Sequence, residues 1–134
     1  MGTIEVIIDW TGKNYCATLA DERIAFVATG KTLQEIKANV AEGLAFHIEG
    51  MQEMELAIPP KYLSDYDLVY TLTTRARLKY SDNFITGRAL AAQTGIKEQQ
   101  LSHYANGRKI PRPATQQRIL NGLRAIVANL SVVI

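Results

Sequence analysis

A chain of 134 residues has room for one ordinary domain or two small ones and excludes a large enzyme. With 47% hydrophobic and 21% charged residues it can bury a core, and its apolar runs are too short and too interrupted to span a bilayer. One cysteine, Cys16, excludes a disulfide framework or a thiolate metal site within the chain. No basic segment followed by an apolar run opens the sequence, so a soluble cytoplasmic protein is expected. The net charge of +2 conceals a strong asymmetry. Through Thr74 there are five Lys/Arg against eleven Asp/Glu, a net −6; from Arg75 onward there are ten against two, a net +8. That separation points to a polyanion for the second half and a basic partner for the first.

In chain order, Ile4, Val6, Ile8 and Trp10 alternate with Glu5, Ile7 and Asp9, the period of a strand. Thr11-Gly12-Lys13-Asn14 is a turn, and Tyr15 to Leu19 is the returning strand. Ile24 to Thr29 reads as a third strand. Thr32 and Glu35 have the spacing of a capping box. Leu33, Ile36, Val40, Leu44 and Ile48 then recur at helical spacing, with Gly50 as the expected stop. Pro59-Pro60 ends any regular element before a fourth strand at Leu68 to Leu72. The fold class expected is α+β, with a small β-β-β-α-β unit over residues 1–70 and an all-α unit over 71–134.

The second half reads as helices at Arg75 to Lys79, Gly87 to Thr94 with Thr86 as its cap, Lys97 to Asn106, and Ala114 to Leu130. Gly95 and Gly107 separate them, and Pro111 and Pro113 mark a loop. On the last helix Ile119, Leu123, Ile126, Val127 and Leu130 form one apolar face, more than a single small domain buries alone, so a homodimer or tetramer is expected.

Ala89 to Tyr104 has the mechanics of a helix-turn-helix. Leu90, Ile96 and Leu101 supply a shared core, Ala91 permits close approach, and Gly95 permits a left-handed turn. Glu98, Gln99, Gln100, Ser102 and His103 then project from the start of the following helix, the end that enters the major groove in such motifs. Glutamine can pair bidentately with adenine. The site expected to bind DNA comprises Lys97, Gln99, Gln100, Ser102, His103, Asn106, Arg108 and Lys109, the last two placed for phosphate. The stretch through Pro111 resembles the Xre/Cro-type repressor pattern, although Lys97 stands where Ser or Thr is usual at the helix cap.

Ala17-Thr18-Leu19-Ala20-Asp21, Thr29-Gly30-Lys31-Thr32-Leu33-Gln34-Glu35 and Asn39 to Leu44 resemble HicB-type antitoxins. Glu35, Asn39, Glu42 and Leu44 fall on that family's helix pattern. Ala20 and Asp21-Glu22-Arg23-Ile24 depart from it, where the family has a proline and then Gly-Cys. The resemblance implies a partial ribonuclease-H-like first domain, capture of a small basic HicA-type mRNA-cleaving toxin, and repression of the protein's own operon through operator DNA. Glu35, Glu42 and Glu49, at heptad spacing, are candidate toxin contacts or a solvated helix face. No cofactor or metal is implied.

Two other readings remain. A stand-alone regulator would use the first half to bind a ligand or only to oligomerise. A nuclease would need several carboxylates converging on divalent metal, with Asp9, Glu42 and Asp67 as candidates by element. His47 lies beside Phe46 in mid-helix and His103 belongs to the expected DNA-reading helix, so neither fits a catalytic constellation.

Overall fold

The alternation at the start of the chain forms strand β1 (Gly2–Trp10), in which Ile4, Val6 and Ile8 are buried while Glu5 and Asp9 are exposed. A computed structural model describes residues 2–134 and divides them into two units, the first ending at Thr73 and the second spanning Thr74–Ile134. The division falls after Thr73 rather than residue 70 because the last strand runs to Leu72 and the residue after it is still bonded to the sheet. The Thr73 amide still donates to the Ile8 carbonyl at 2.9 Å.

In the first unit β1 pairs antiparallel with β2 (Tyr15–Leu19), and β2 pairs antiparallel with β3 (Val27–Gly30). Strand β4 (Tyr66–Leu72) lies parallel to β1 on its other side, giving the order β3-β2-β1-β4. Two parallel neighbours require a long crossover. Helix α1 (Leu33–Glu53) supplies it, followed by a 3-10 turn at Pro60–Tyr62. Thr32 Oγ1 accepts from the Glu35 amide at 3.0 Å and fixes the start of α1. The buried stripe Ile36, Val40, Leu44 and Ile48 lies over the sheet face that carries Ile4, Val6, Ile8, Ala17 and Leu19. Asn39 Nδ2 donates to Thr29 O at 2.8 Å, and Tyr70 Oη donates to Lys37 O at 3.2 Å, tying the helix to β3 and β4.

Over the described residues the chain is thus α+β with one four-stranded mixed sheet and five α-helices. This corrects the expected fold class. The helical content and sheet size do not match a partial ribonuclease-H-like β-β-β-α-β unit followed by an all-α helix-turn-helix unit. The sequence pattern placed a fourth strand at Leu68 to Leu72 and a helix ending at Gly50, but it did not show the 3-10 turn, the parallel pairing of that strand with β1, or the run of α1 to Glu53.

Two local expectations also change. Strand β3 begins at Val27, not Ile24, because Asp21 holds the preceding segment in a turn. Its carboxylate accepts from the Arg23 amide at 3.1 Å, pairs with the Arg23 guanidinium at 2.8 Å, and meets Lys61 Nζ at 3.1 Å. These donors, Arg23 first, hold the Asp21 carboxyl well below the usual carboxylate range. Tyr62 donates to the same carboxylate at 3.3 Å, and burial with that negative neighbour pushes its hydroxyl up to about 12. Ile24 and Phe26 are buried from this loop rather than from a strand.

Helix α1 runs through Gly50 and ends instead at a left-handed residue, Glu55, with φ of 56°. The Glu55 amide donates to Gln52 O at 3.1 Å and the Leu56 amide to Met51 O at 3.0 Å, the crossed pair of a Schellman ending. Glycine is the residue that adopts this conformation freely, and a side chain there costs about 1 kcal/mol. Glu55→Gly should therefore raise unfolding free energy by about 1 kcal/mol in urea titration. No gain, or a loss, would mean that the helix ends in another way.

Candidate nucleic-acid interface

Four helices make the second unit: α2 (Thr74–Ser81), α3 (Gly87–Thr94), α4 (Glu98–Ala105) and α5 (Pro113–Ser131). Their shared core is Leu78, Leu90, Ile96, Leu101, Tyr104 and Ile119, with Ile85, Ala91, Leu123 and Ile126 packed around it. Thr86 caps α3, its Oγ1 accepting from the Ala89 amide at 3.0 Å. Three residues join α3 to α4, and Gly95 at their start has φ of 71°, with its amide bound to Ala91 O at 2.8 Å. Buried Thr94 completes the turn. Its hydroxyl donates to Leu90 O at 2.8 Å and accepts from the Ile96 amide at 3.1 Å. Arg118 Nε from α5 donates to Thr94 O at 2.8 Å, satisfying a carbonyl at the end of α3.

Burial of Leu101 and Tyr104 sets the rotation of α4 and turns Gln99, Ser102 and Asn106 to solvent. Lys97 stands exposed at the N-cap without a side-chain capping bond, as its side chain, lacking an acceptor, dictates. Arg108 and Lys109 are exposed just beyond the other end, where their amides donate to His103 O at 2.9 and 3.3 Å. Arg75 holds that end from α2, with Nε and Nη2 each 3.2 Å from the carbonyls of Ala105 and Asn106. At Gly107, where φ is 78°, a Cβ would come within 2.7 Å of the same guanidinium. The cations and the exposed polar face together form a ridge suited to phosphate at its ends and hydrogen-bonding groups along its middle.

Not every residue of the expected site projects freely. Gln100 is half-buried, its Nε2 donating to Tyr104 Oη at 2.9 Å while its Oε1 accepts from Lys109 Nζ at 3.4 Å. Asn106 Oδ1 accepts from the Arg108 amide at 3.1 Å. His103 is half-buried, and its Nδ1 is buried without a partner among the described residues. Glu98 turns back toward α3, close enough that a Cβ on Gly87 would lie 3.2 Å from its Cγ, and with Ser102 it borders a cleft of about 320 Å³ against Leu78 and Ile85. Gln99 and Ser102 keep uncommitted side chains. The positioning roles of Arg75 and Arg118 went unread in the sequence, because each acts through a distant backbone carbonyl that no local spacing rule connects to it.

No protein-family model, curated protein or solved structure matches the chain. The resemblances to HicB-type antitoxins and Xre/Cro-type repressors therefore rest on the motif residues themselves.

The carboxylates weighed for metal chemistry do not converge. Asp67 lies opposite Thr3, six residues along β1 from Asp9, or roughly 20 Å. Asp9 accepts from Thr73 Oγ1 at 2.6 Å, and Glu42 is exposed on α1, which covers the other face of the sheet. Among the described residues no group of three or more His, Cys, Asp or Glu could hold a metal ion. Glu35, Glu42 and Glu49 are all exposed along the side of α1 opposite its buried stripe. Among the described residues no helix is long and apolar enough to cross a membrane.

The turn depends on one close approach between α3 and α5. A Cβ at buried Gly122 would run into the methyl of Thr94. Gly122→Ala should cost about 1–3 kcal/mol by overpacking, read from urea unfolding. Adding Thr94→Ser, which removes the methyl and keeps the hydroxyl, should recover part of that loss. A neutral Gly122→Ala would show that the helices have room to separate.

Proposed function

We propose that this protein is a cytoplasmic, antitoxin-like transcriptional repressor. It binds operator DNA through α3 and α4 and restrains a small basic HicA-type toxin through its acidic first unit. The observation that carries the DNA half is the α3–Gly95–α4 arrangement, with Gln99 and Ser102 free on the exposed face of α4 and Lys97, Arg108 and Lys109 at its two ends. A unit carrying a net +8 favours a polyanion, and helix side chains at this position suit base edges in the major groove. The toxin half is supported by the −6 charge of the first unit and by the motif residues from Ala17 to Leu44.

Base contacts specify and phosphate contacts position, so the two ends of α4 should fail differently. Gln99→Ala should weaken operator binding by about 1–3 kcal/mol, affect scrambled duplex less, and leave salt dependence nearly unchanged. Lys109→Ala should weaken both duplexes about equally and flatten log K against log salt by about 0.9 for each phosphate it no longer neutralises. Fluorescence anisotropy on both duplexes at several salt concentrations separates these outcomes. Equal losses on both duplexes for Gln99→Ala would place α4 outside the groove.

The repressor is a dimer or tetramer in this reading. Upstream, α5 buries Ile119 and half-buries Leu123 and Ile126, but the same face continues through Val127 and Leu130, which are 67% and 55% exposed. No charged residue follows Arg124, so this is the surface of a basic unit where a second copy meets no like charge. Val127→Glu with Leu130→Glu should convert the protein to monomer in light scattering at micromolar concentration. Wild-type protein that is already monomeric there would refute the dimer.

A further inference from the structure

The solvent side of α1 carries one residue that electrostatics does not explain. Phe46 is 77% exposed at the centre of the helix. It lies one turn after Glu42 and one turn before Glu49, with Glu53 a further turn on, so the four share a stripe opposite Ile36, Val40, Leu44 and Ile48. The only cation within α1, Lys37, points elsewhere, its Nζ 5.2 Å from the centre of the Tyr70 ring. Asp21 pairs with Arg23 and Lys61, and among the described residues no ion pair is found for a glutamate of α1. The face thus presents unpaired carboxylates around a bare aromatic ring. Large aromatic side chains of this kind act as anchors when a partner pocket removes them from water.

We propose that Phe46 is the anchor of a protein-docking surface on α1, framed by Glu35, Glu42, Glu49 and Glu53, for a basic protein whose surface has an apolar recess between cations. The proposal rests on the reading of the acidic unit as partner-binding and adds the residue that sets affinity. Charge decides among occupants. Nucleic acid is repelled by four carboxylates, and a second copy would bring four more against them. A basic surface gains from every one, and pairing at the rim steers encounter while the buried ring holds the complex.

The test uses the full chain in its host, with the photo-reactive phenylalanine analogue benzoylphenylalanine at position 46 and, separately, at Val27, which is 64% exposed on the edge strand of the sheet. The expected result is a covalent adduct from position 46 with one basic protein and none from position 27. That protein, once purified, is the probe for affinity by calorimetry. Phe46→Ala should weaken its binding about 30-fold or more. The fourfold Glu→Gln variant at 35, 42, 49 and 53 should slow association and remove most of its salt dependence. Because Phe46 is exposed, Phe46→Ala should melt as the wild type does, so the loss cannot be assigned to unfolding. A basic protein trapped from position 27 and not from 46 would overturn the docking surface and leave the toxin-capturing reading standing. Adducts only with a second copy, or with no basic protein at either position, would overturn both. Full affinity in Phe46→Ala would remove the anchor role.

Discussion

Helices α3 and α5 can lie against each other only because Gly122 leaves space for the Thr94 methyl, and Thr94 in turn holds the backbone on both sides of the turn. Its hydroxyl bridges the carbonyl of Leu90 and the amide of Ile96, so the last turn of one helix and the approach to the next form one hydrogen-bonded piece. The left-handed Gly95 sits between them, and Arg118 binds the Thr94 carbonyl from outside. Ile96 is thereby directed into the core beside Leu90 and Leu101, which fixes the rotation of α4 about its axis. The polar face of α4 is exposed as a consequence of this packing. A buried threonine hydroxyl with both its bonds made carries no desolvation penalty of the kind an orphaned one would.

The first unit is organised by a different shortage. One helix must serve four strands, and only one face of the sheet is covered. Placing β4 parallel to β1 brings the crossover helix over the centre of the sheet, and Val6, Ile8, Ala17, Ile36, Val40 and Leu44 are fully buried between them. Two long-range hydrogen bonds, from Asn39 and Tyr70, hold the helix against the two edges. The Asp21 carboxylate clasps the β2–β3 connection to the 3-10 turn before β4, joining segments about forty residues apart through Lys61 and Tyr62.

Legibility in the sequence followed the range of the interaction. Period-two alternation placed β1, the turn after it placed β2, and period-3.6 recurrence placed the buried stripe of α1, because all three are written in neighbouring residues. Gly95 and Thr86 declared the ends of α3 for the same reason. Gly50 misled, since a glycine within a helix looks like a terminator until a later residue, here Glu55, takes the left-handed position. Ile24 and Phe26 looked like strand because burial alone does not distinguish a strand from a loop pinned by Asp21. At the candidate site the exposed face of α4 was legible, whereas the tie between Gln100 and Lys109 was not. It joins a helix to the loop beyond it, and no spacing rule encodes that. Phe46 already fell off the Ile36, Val40, Leu44, Ile48 stripe by helical spacing, so its exposure was legible, but spacing says nothing of what surrounds it on that face.

Two arginines alter how the basic unit's charge should be understood. Arg75 and Arg118 direct their guanidinium groups at main-chain carbonyls, at the ends of α4 and α3 respectively. The C-terminal end of a helix carries a partial negative charge, and each arginine sits against one. Both therefore serve as internal counterions to the fold. Neither gives up its charge, since a carbonyl is neutral, but both side chains are committed, whereas Lys97, Arg108 and Lys109 have no such carbonyl to hold. Part of the basic count is thus committed to holding α3 and α4 in place.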